Sequence, residues 1–267
     1  DERTIIALSP GSSRELRSTA EILAGFLKQR TGLGPKISEQ AQERNLILLE
    51  INAEPELENF GPEAYLLEID ESTIKISAPD PNGVFNGAMT LLQIFSSSAD
   101  SRTAACLKIF DYPRFSHRGL LLDPARHFLS VDLIKQVLDA MAQIKMNVLH
   151  FHLTDDQGWR IESKVFPKLH QIAGAKGYYT QDQLRELLAY AQARYIIIEP
   201  EVDMPGHSTA LLAAYPELSC SGEKVLVSTI WGIHRNALCP GKDYVYEFLD
   251  QLLSEIAGIF PSTYIHT

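Results

Sequence analysis

Along the first hundred positions, short continuous apolar runs alternate with apolar residues at helical spacing. The run 4–8 predicts a strand, and Ser12 with Glu15 forms a capping box ahead of Leu16, Ala20, Leu23 and Leu27. Gly32 and Gly34 close that helix. Residues 46–50, apolar from Leu46 through Leu49, predict a buried strand, while 64–69 and 73–77, separated by Asp70-Glu71-Ser72, predict a hairpin. A second helix is expected over 82–95, followed by a loop in the small polar stretch 96–101.

From Arg118 onward the rhythm becomes strand, helix, strand, helix. The run 119–122 predicts a strand, and Ser130 caps a helix carrying Leu133, Ile134, Val137, Leu138 and Met141. A second strand is expected over 147–153. Thr180 and Gln183 form another capping box, opening a helix with Leu184, Leu187, Leu188 and Ala191 inward. The third strand, 195–202, is almost wholly apolar, as expected for a parallel strand covered on both faces. Tyr244, Phe248, Leu252 and Ile256 mark a further helix, and Tyr264-Ile265-His266 begins a fourth strand.

Parallel crossovers suit a doubly wound sheet or a (β/α)8 barrel, and no Gly-x-Gly-x-x-Gly turn favours nucleotide binding. The polar residues decide. They collect after the C-terminal ends of several strands, as Asp123 and Arg126, then 150–156, then 201–207, which is how barrel enzymes build sites. The expected fold class is therefore α/β: a small α+β domain over residues 1–110, then over 111–267 a partial (β/α)8 TIM barrel ending at about its fourth strand, since a full barrel needs roughly 250 residues.

Composition narrows the function. With 45% hydrophobic and 22% charged residues the chain is an ordinary globular sequence, and its net charge of −10 repels phosphate backbones and anionic lipids. A neutral substrate fits better; neither a nucleic-acid nor a membrane partner is expected. No apolar run approaches the roughly 20 residues that span a bilayer. The start has no targeting pattern, so the protein is either cytoplasmic or has lost a signal. Cys220 and Cys239 lie in one loop-like stretch and either close a short disulfide or remain free buried thiols.

Candidate chemistry sits at the strand ends. His150 and His152 point the same way from one strand, and with Asp155 and His207 they offer the donors of a metal hydrolase; core histidines orienting neighbours are the plainer alternative. Pro205 and Gly206 make a sharp turn that aims His207 back toward Asp155, giving either a carboxylate–imidazole relay or two loop-capping groups. Arg118 has the forked donors to grip adjacent sugar hydroxyls, or to pair with a carboxylate such as Asp123.

A longer series of residues is recognisable. Pro113-Arg114-Phe115, Arg118-Gly119, Asp123-x-x-Arg126-His127-Phe128, Met146-Asn147, the run from His150 through Asp155-Asp156-Gln157-Gly158-Trp159-Arg160, Gly177-Tyr178-Tyr179-Thr180, and Pro200-Glu201-x-Asp203-x-Pro205-Gly206-His207 closely resemble family 20 glycoside hydrolases, the β-N-acetylhexosaminidases. Residues 1–110, with Gly83-Val84-Phe85-Asn86-Gly87 and Leu91-Leu92-Gln93, resemble that family's small non-catalytic domain. The resemblance implies removal of terminal non-reducing N-acetyl-β-D-hexosamine from an oligosaccharide or glycan by substrate-assisted retaining catalysis, without cofactor or metal. It assigns Arg118 to the sugar hydroxyls and Asp155 and His207 to a relay reaching a general-acid glutamate, with His152, Glu201 and Asp203 in support. The family's Asp-Glu pair follows the fourth strand in a His-x-Gly-Gly-Asp-Glu motif, and this sequence stops at His266-Thr267, so these 267 residues are expected to be inactive alone. A non-catalytic carbohydrate-binding module or truncated pseudoenzyme is the alternative. Three positions depart from the pattern: Pro124, where a small or branched residue is usual; Tyr195, where glycine is common; and Thr267, where an apolar residue is usual. The family's substrates imply a secreted, periplasmic or lysosome-like location.

Overall fold

The computed structural model describes residues 3–9, 11–40, 44–52, 57, 59–97 and 103–267. Positions 98–101 of the expected loop, and the first two of the small domain, lie outside the described residues. The chain forms two compact units. The first comprises Asp1–Arg118, Ala140–Met146 and Ala193–Tyr195; the second comprises Gly119–Asp139, Asn147–Gln192 and Ile196–Thr267.

In the first unit, strands β1 (Ile5–Leu8), β2 (Lys36–Ser38), β3 (Leu46–Ile51), β4 (Tyr65–Ile69), β5 (Thr73–Ala78) and β6 (Leu107–Asp111) form one sheet in the order β2-β1-β3-β5-β4-β6. β4 and β5 are the expected hairpin, and Asp70 closes its turn by accepting from the backbone N–H groups of Ser72 and Thr73, both at 2.7 Å. Helix α1 (Arg14–Thr31) starts one residue later than the capping box placed it: Ser13 Oγ accepts from Leu16 N at 3.3 Å, while Ser12 Oγ donates to Ser9 O. Gly32 ends the helix with φ +73°, a left-handed turn that costs glycine little. Helix α2 (Pro81–Ser97) presses its glycines to the sheet, since a Cβ on Gly83 would strike the carbonyl of Ala64 and one on Gly87 the side chain of Ile76. That contact buries Val84, Phe85, Ala88, Met89, Leu91 and Leu92. Tyr195 stands at φ +57°, which explains why a glycine suits this position; its ring centroid lies 5.3 Å from that of Phe85.

In the second unit, β7 (Gly119–Leu122), β8 (Val148–Asp155) and β10 (Ile197–Val202) run parallel in the order β10-β8-β7, and the two-residue β9 (Gly158–Trp159) folds back on β8. Helix α3 (Val131–Gln143) follows β7, α4 (Gln181–Gln192) follows β9, and α5 (Thr209–Ala214) and α6 (Asp243–Ile259) both follow β10. The expected caps hold: Ser130 Oγ accepts from Leu133 N, and Thr180 and Gln183 exchange reciprocal bonds of 3.0 and 3.1 Å. Residues 264–266 contribute one parallel bridge, Glu201 to His266, rather than a full strand.

The two faces of this sheet differ. Leu149, Phe151 and Ile198 are buried on one, whereas Ile197 on the face shared with His150 and Leu121 is 56% exposed. β10 is therefore not covered on both sides as expected, because the face of Ile197 also carries Glu199 and Glu201 and only the opposite face is wholly apolar. Between Glu201 and Val202 the register with β8 slips by one residue, a bulge that turns the end of β8 where Thr154 and Asp155 sit.

Candidate active site

The site lies at the C-terminal ends of β7, β8 and β10. Asp155, the last residue of β8, is buried and bonded on both carboxylate oxygens: Oδ1 accepts from Asp156 N at 2.6 Å and lies 3.2 Å from His207 Nδ1, while Oδ2 faces His152 Nε2 at 2.9 Å and forms an ion pair with Arg126. Burial alone raises its pKa, but His152, the Asp156 N–H, Arg126 and His207 outweigh that and hold the carboxyl below its ordinary value.

His152 bridges two carboxylates, with Nδ1 2.6 Å from Glu201 Oε2 and Nε2 2.9 Å from Asp155 Oδ2. Burial disfavours its charged form, yet the bonds to Asp155 and Glu201 prevail and its pKa is raised. Only an imidazolium donates from both nitrogens; with Nε2 protonated, the 3.0 Å approach of Arg126 is a close contact of two donors and not a hydrogen bond. His150 reaches the same oxygen of Glu201 at 2.6 Å, as two histidines on one strand face should, and His266 Nδ1 lies 3.3 Å from Oε1. Against burial, His152 and His150 lower the pKa of Glu201. Asp203 goes the other way: burial, with Glu201 and Asp155 nearby, raises its pKa despite His207 and His152.

His207 reaches Asp155 from a tight turn at φ +47°, after a cis Met204–Pro205 peptide, and its Nδ1 is also 3.3 Å from Asp156 Oδ2. Asp156 Oδ1 accepts from Thr209 N at 2.9 Å, tying the turn to the start of α5. On the other side, the loop after β7 is clamped by Arg160, whose guanidinium donates to the carbonyls of Pro124 (2.9 Å), Ala125 (2.7 Å) and Gly177 (2.8 Å). A proline at 124 forfeits nothing here, because only its carbonyl is used. Gly158 is obligatory for the clamp, since a Cβ there would strike the Arg160 guanidinium.

Asp155, His207, His152, Glu201 and Asp203 thus come together. Arg118 does not join them: in the first unit its guanidinium pairs with Glu63 and donates to the carbonyls of Phe115 (2.7 Å) and Lys145 (2.6 Å). The ion-pair alternative applies, with Glu63 in place of Asp123. The arginine in the cluster is Arg126, bonded to Asp123 at 2.8 Å and paired with Asp155. Its signal was the Asp123-x-x-Arg126 spacing immediately after a strand. Among the described residues, three carboxylate–histidine groups have the spacing of metal ligands, one of them His152, Asp155 and Asp203. The Arg126 charge on Asp155 and the engagement of both His152 nitrogens oppose a cation there. Paired charges with donors and acceptors interleaved suit a neutral, hydroxyl-rich ligand.

The strand-end site and the α/β unit before it coincide with two family models. Residues 115–267 match the glycosyl hydrolase family 20 catalytic domain, and residues 2–112 match domain 2 of the same family. The chain belongs to glycosyl hydrolase family 20. Among family 20 relatives, it is 36% identical to a β-hexosaminidase of Porphyromonas gingivalis, covering 100% of this chain and 36% of that one, and 36% identical to one of Vibrio furnissii, covering 97% and 45%. A GH20 β-N-acetylhexosaminidase structure from Streptomyces coelicolor superposes with a TM-score of 0.90 at 34% identity, covering 98% of this chain and 55% of the other. The Streptomyces plicatus N-acetyl-β-hexosaminidase, solved with Thio-NAglucal, gives 0.89 at 33%, covering 97% and 54%. The chain spans less than half the length of those two curated relatives and just over half of those two structures. Its second unit is a β/α region resembling the (β/α)8 barrel of the family 20 enzymes.

Proposed function

We propose that the protein to which these residues belong removes terminal, non-reducing N-acetyl-β-D-hexosamine residues from oligosaccharides or glycans, and that these 267 residues supply one side of its barrel, through about the fourth strand. The observation that carries this reading is the 3.2 Å approach of His207 Nδ1 to a buried Asp155 whose other oxygen is held by His152 and Arg126. That arrangement fixes the imidazole and leaves its Nε2 to meet the next group.

In the substrate-assisted reaction the 2-acetamido oxygen attacks the anomeric carbon as the leaving oxygen takes a proton from the general acid. Water, deprotonated by the same group, then opens the oxazolinium with net retention. The acid is a glutamate and the acetamido-orienting group an aspartate, both supplied by family sequence that this chain does not contain. Asp155 and His207 are positioning residues that set the protonation of that glutamate. Arg126, a quarter exposed, takes the sugar-gripping role assigned from sequence to Arg118. Neither metal nor cofactor takes part, and the substrates fit an extracytoplasmic location.

The test is hydrolysis of a chromogenic β-N-acetylglucosaminide. The full-length protein is expected to turn it over and the 267-residue polypeptide alone to release none. Turnover by the polypeptide, or none by the full-length protein, contradicts the reading, and sugar binding without turnover by the latter points instead to a binding module.

A further inference from the structure

Asp156, next to Asp155 and 1% exposed, uses only one of its carboxylate oxygens for structure. Oδ1 accepts from the Thr209 backbone N–H at 2.9 Å and from the Thr209 hydroxyl, which holds the turn after β10 against the end of β8. Oδ2 is buried and, among the described residues, accepts no hydrogen bond of regular geometry; His207 Nδ1 lies 3.3 Å from it. A carboxylate oxygen enclosed away from water and left without a donor is costly, so its position calls for a cause. Anchoring the turn is not that cause. An asparagine would accept from Thr209 through its carbonyl just as well and would bring no second buried acceptor.

We propose that Asp156 is a positioning residue for the reaction, its Oδ2 sharing with Asp155 Oδ1 the proton on His207 Nδ1. The inference rests on the hexosaminidase reading and deepens it. Asp155 Oδ1, 3.2 Å from Nδ1, also accepts the Asp156 N–H at 2.6 Å, so its hold on the imidazole is divided. Asp156 Oδ2 has no such rival, and a ring N–H placed between two acceptors is shared as a three-centre bond. Two carboxylates at Nδ1 keep the proton of a neutral imidazole there and leave Nε2 as the acceptor. Nε2 is the atom left to meet the general acid in the proposed reaction, so Asp156 helps to set the polarity of that contact. Enclosed as it is, Asp156 reaches no sugar and acts through His207 alone.

The test is nitrogen NMR of the full-length protein carrying isotopically labelled histidine, alongside steady-state kinetics on a chromogenic β-N-acetylglucosaminide. The His207 signal is identified by its loss in His207→Gln. In the unaltered protein His207 is expected as the Nδ1–H tautomer. Asp156→Asn keeps the carbonyl that Thr209 needs but turns an N–H donor toward Nδ1. The Nε2–H tautomer is then expected to gain, and kcat to fall about ten- to a hundredfold, up to the low end of what acid–base catalysis contributes, with KM within about twofold. A merely structural role moves stability alone. An unchanged tautomer in Asp156→Asn, an unchanged kcat, or a variant that does not fold each overturns the proposal, as does an Nε2–H tautomer in the unaltered protein. If the unaltered protein releases no product, the hexosaminidase reading fails and takes this one with it.

Discussion

Asp155 and His207 meet at 3.2 Å across 52 positions of sequence, with the carboxylate buried and the imidazole exposed. Asp155 has no slack, since its remaining acceptor sites are held by Asp156 N, His152 and Arg126. Asp155→Asn keeps the shape but removes the charge that the two cations share. We expect kcat to fall about a hundredfold, the low end of what acid–base catalysis contributes. The melting temperature should fall as well, since Arg126 and His152 each lose one of their two carboxylate partners, a loss of about 1–3 kcal/mol. Steady-state kinetics and thermal melts of the full-length variant check both.

The two arginines are separable by experiment. Arg126→Met is expected to lower kcat/KM at least about a hundredfold through lost hydroxyl contacts. Arg118→Met unpairs Glu63 and is expected to cost about 1–3 kcal/mol of stability while kcat/KM stays within about threefold. A large catalytic loss in Arg118→Met restores the sequence-based assignment.

Much of this was legible in the sequence because its signals are local. The Thr180–Gln183 box needs only four consecutive residues, and the hairpin at Asp70 likewise carries its own turn chemistry. The one-residue error at Ser12 arose because two adjacent serines offer the same cap, and only the chain path decides which is used. β2 is too short and polar to announce itself, and β6 was not anticipated because Phe110 breaks the apolar–polar alternation begun by Leu107, Lys108 and Ile109. At the site, Asp155, His152 and His207 were readable from residue type and position. That Arg126 pairs with Asp155 while Arg118 pairs with Glu63 was not, because it depends on which carboxylate folding brings within reach.

Stability should peak in mildly acidic solution. The raised pKa of His152 adds stability that is complete below the ordinary imidazole value of about 6.5 and is lost as pH climbs through the higher folded value. The lowered values of Asp155 and Glu201 add stability that is present above the ordinary carboxylate value of about 4 and lost as pH falls through the folded ones. Melting temperatures are therefore expected to be highest between about pH 4.5 and 6.5. In His152→Gln the alkaline decline should flatten; an unchanged alkaline limb contradicts the assignment of a charged His152.

Cys220 and Cys239 are bonded, closing a loop of 19 positions. Cross-linking a loop of that length is worth about 3 kcal/mol in the chain-entropy account. Reductant is expected to lower the melting temperature measurably. Before reduction, alkylation should mark Cys106 alone among the three cysteines of this chain.

The central claim is that the Asp155–His207 pair serves a retaining, substrate-assisted glycosidase. Proton NMR of the full-length protein hydrolysing a chromogenic β-N-acetylglucosaminide reads the anomer at the moment of release. The account predicts β-N-acetylglucosamine first, with the α anomer growing in only by mutarotation. An α anomer as first product, or no turnover at all, contradicts it.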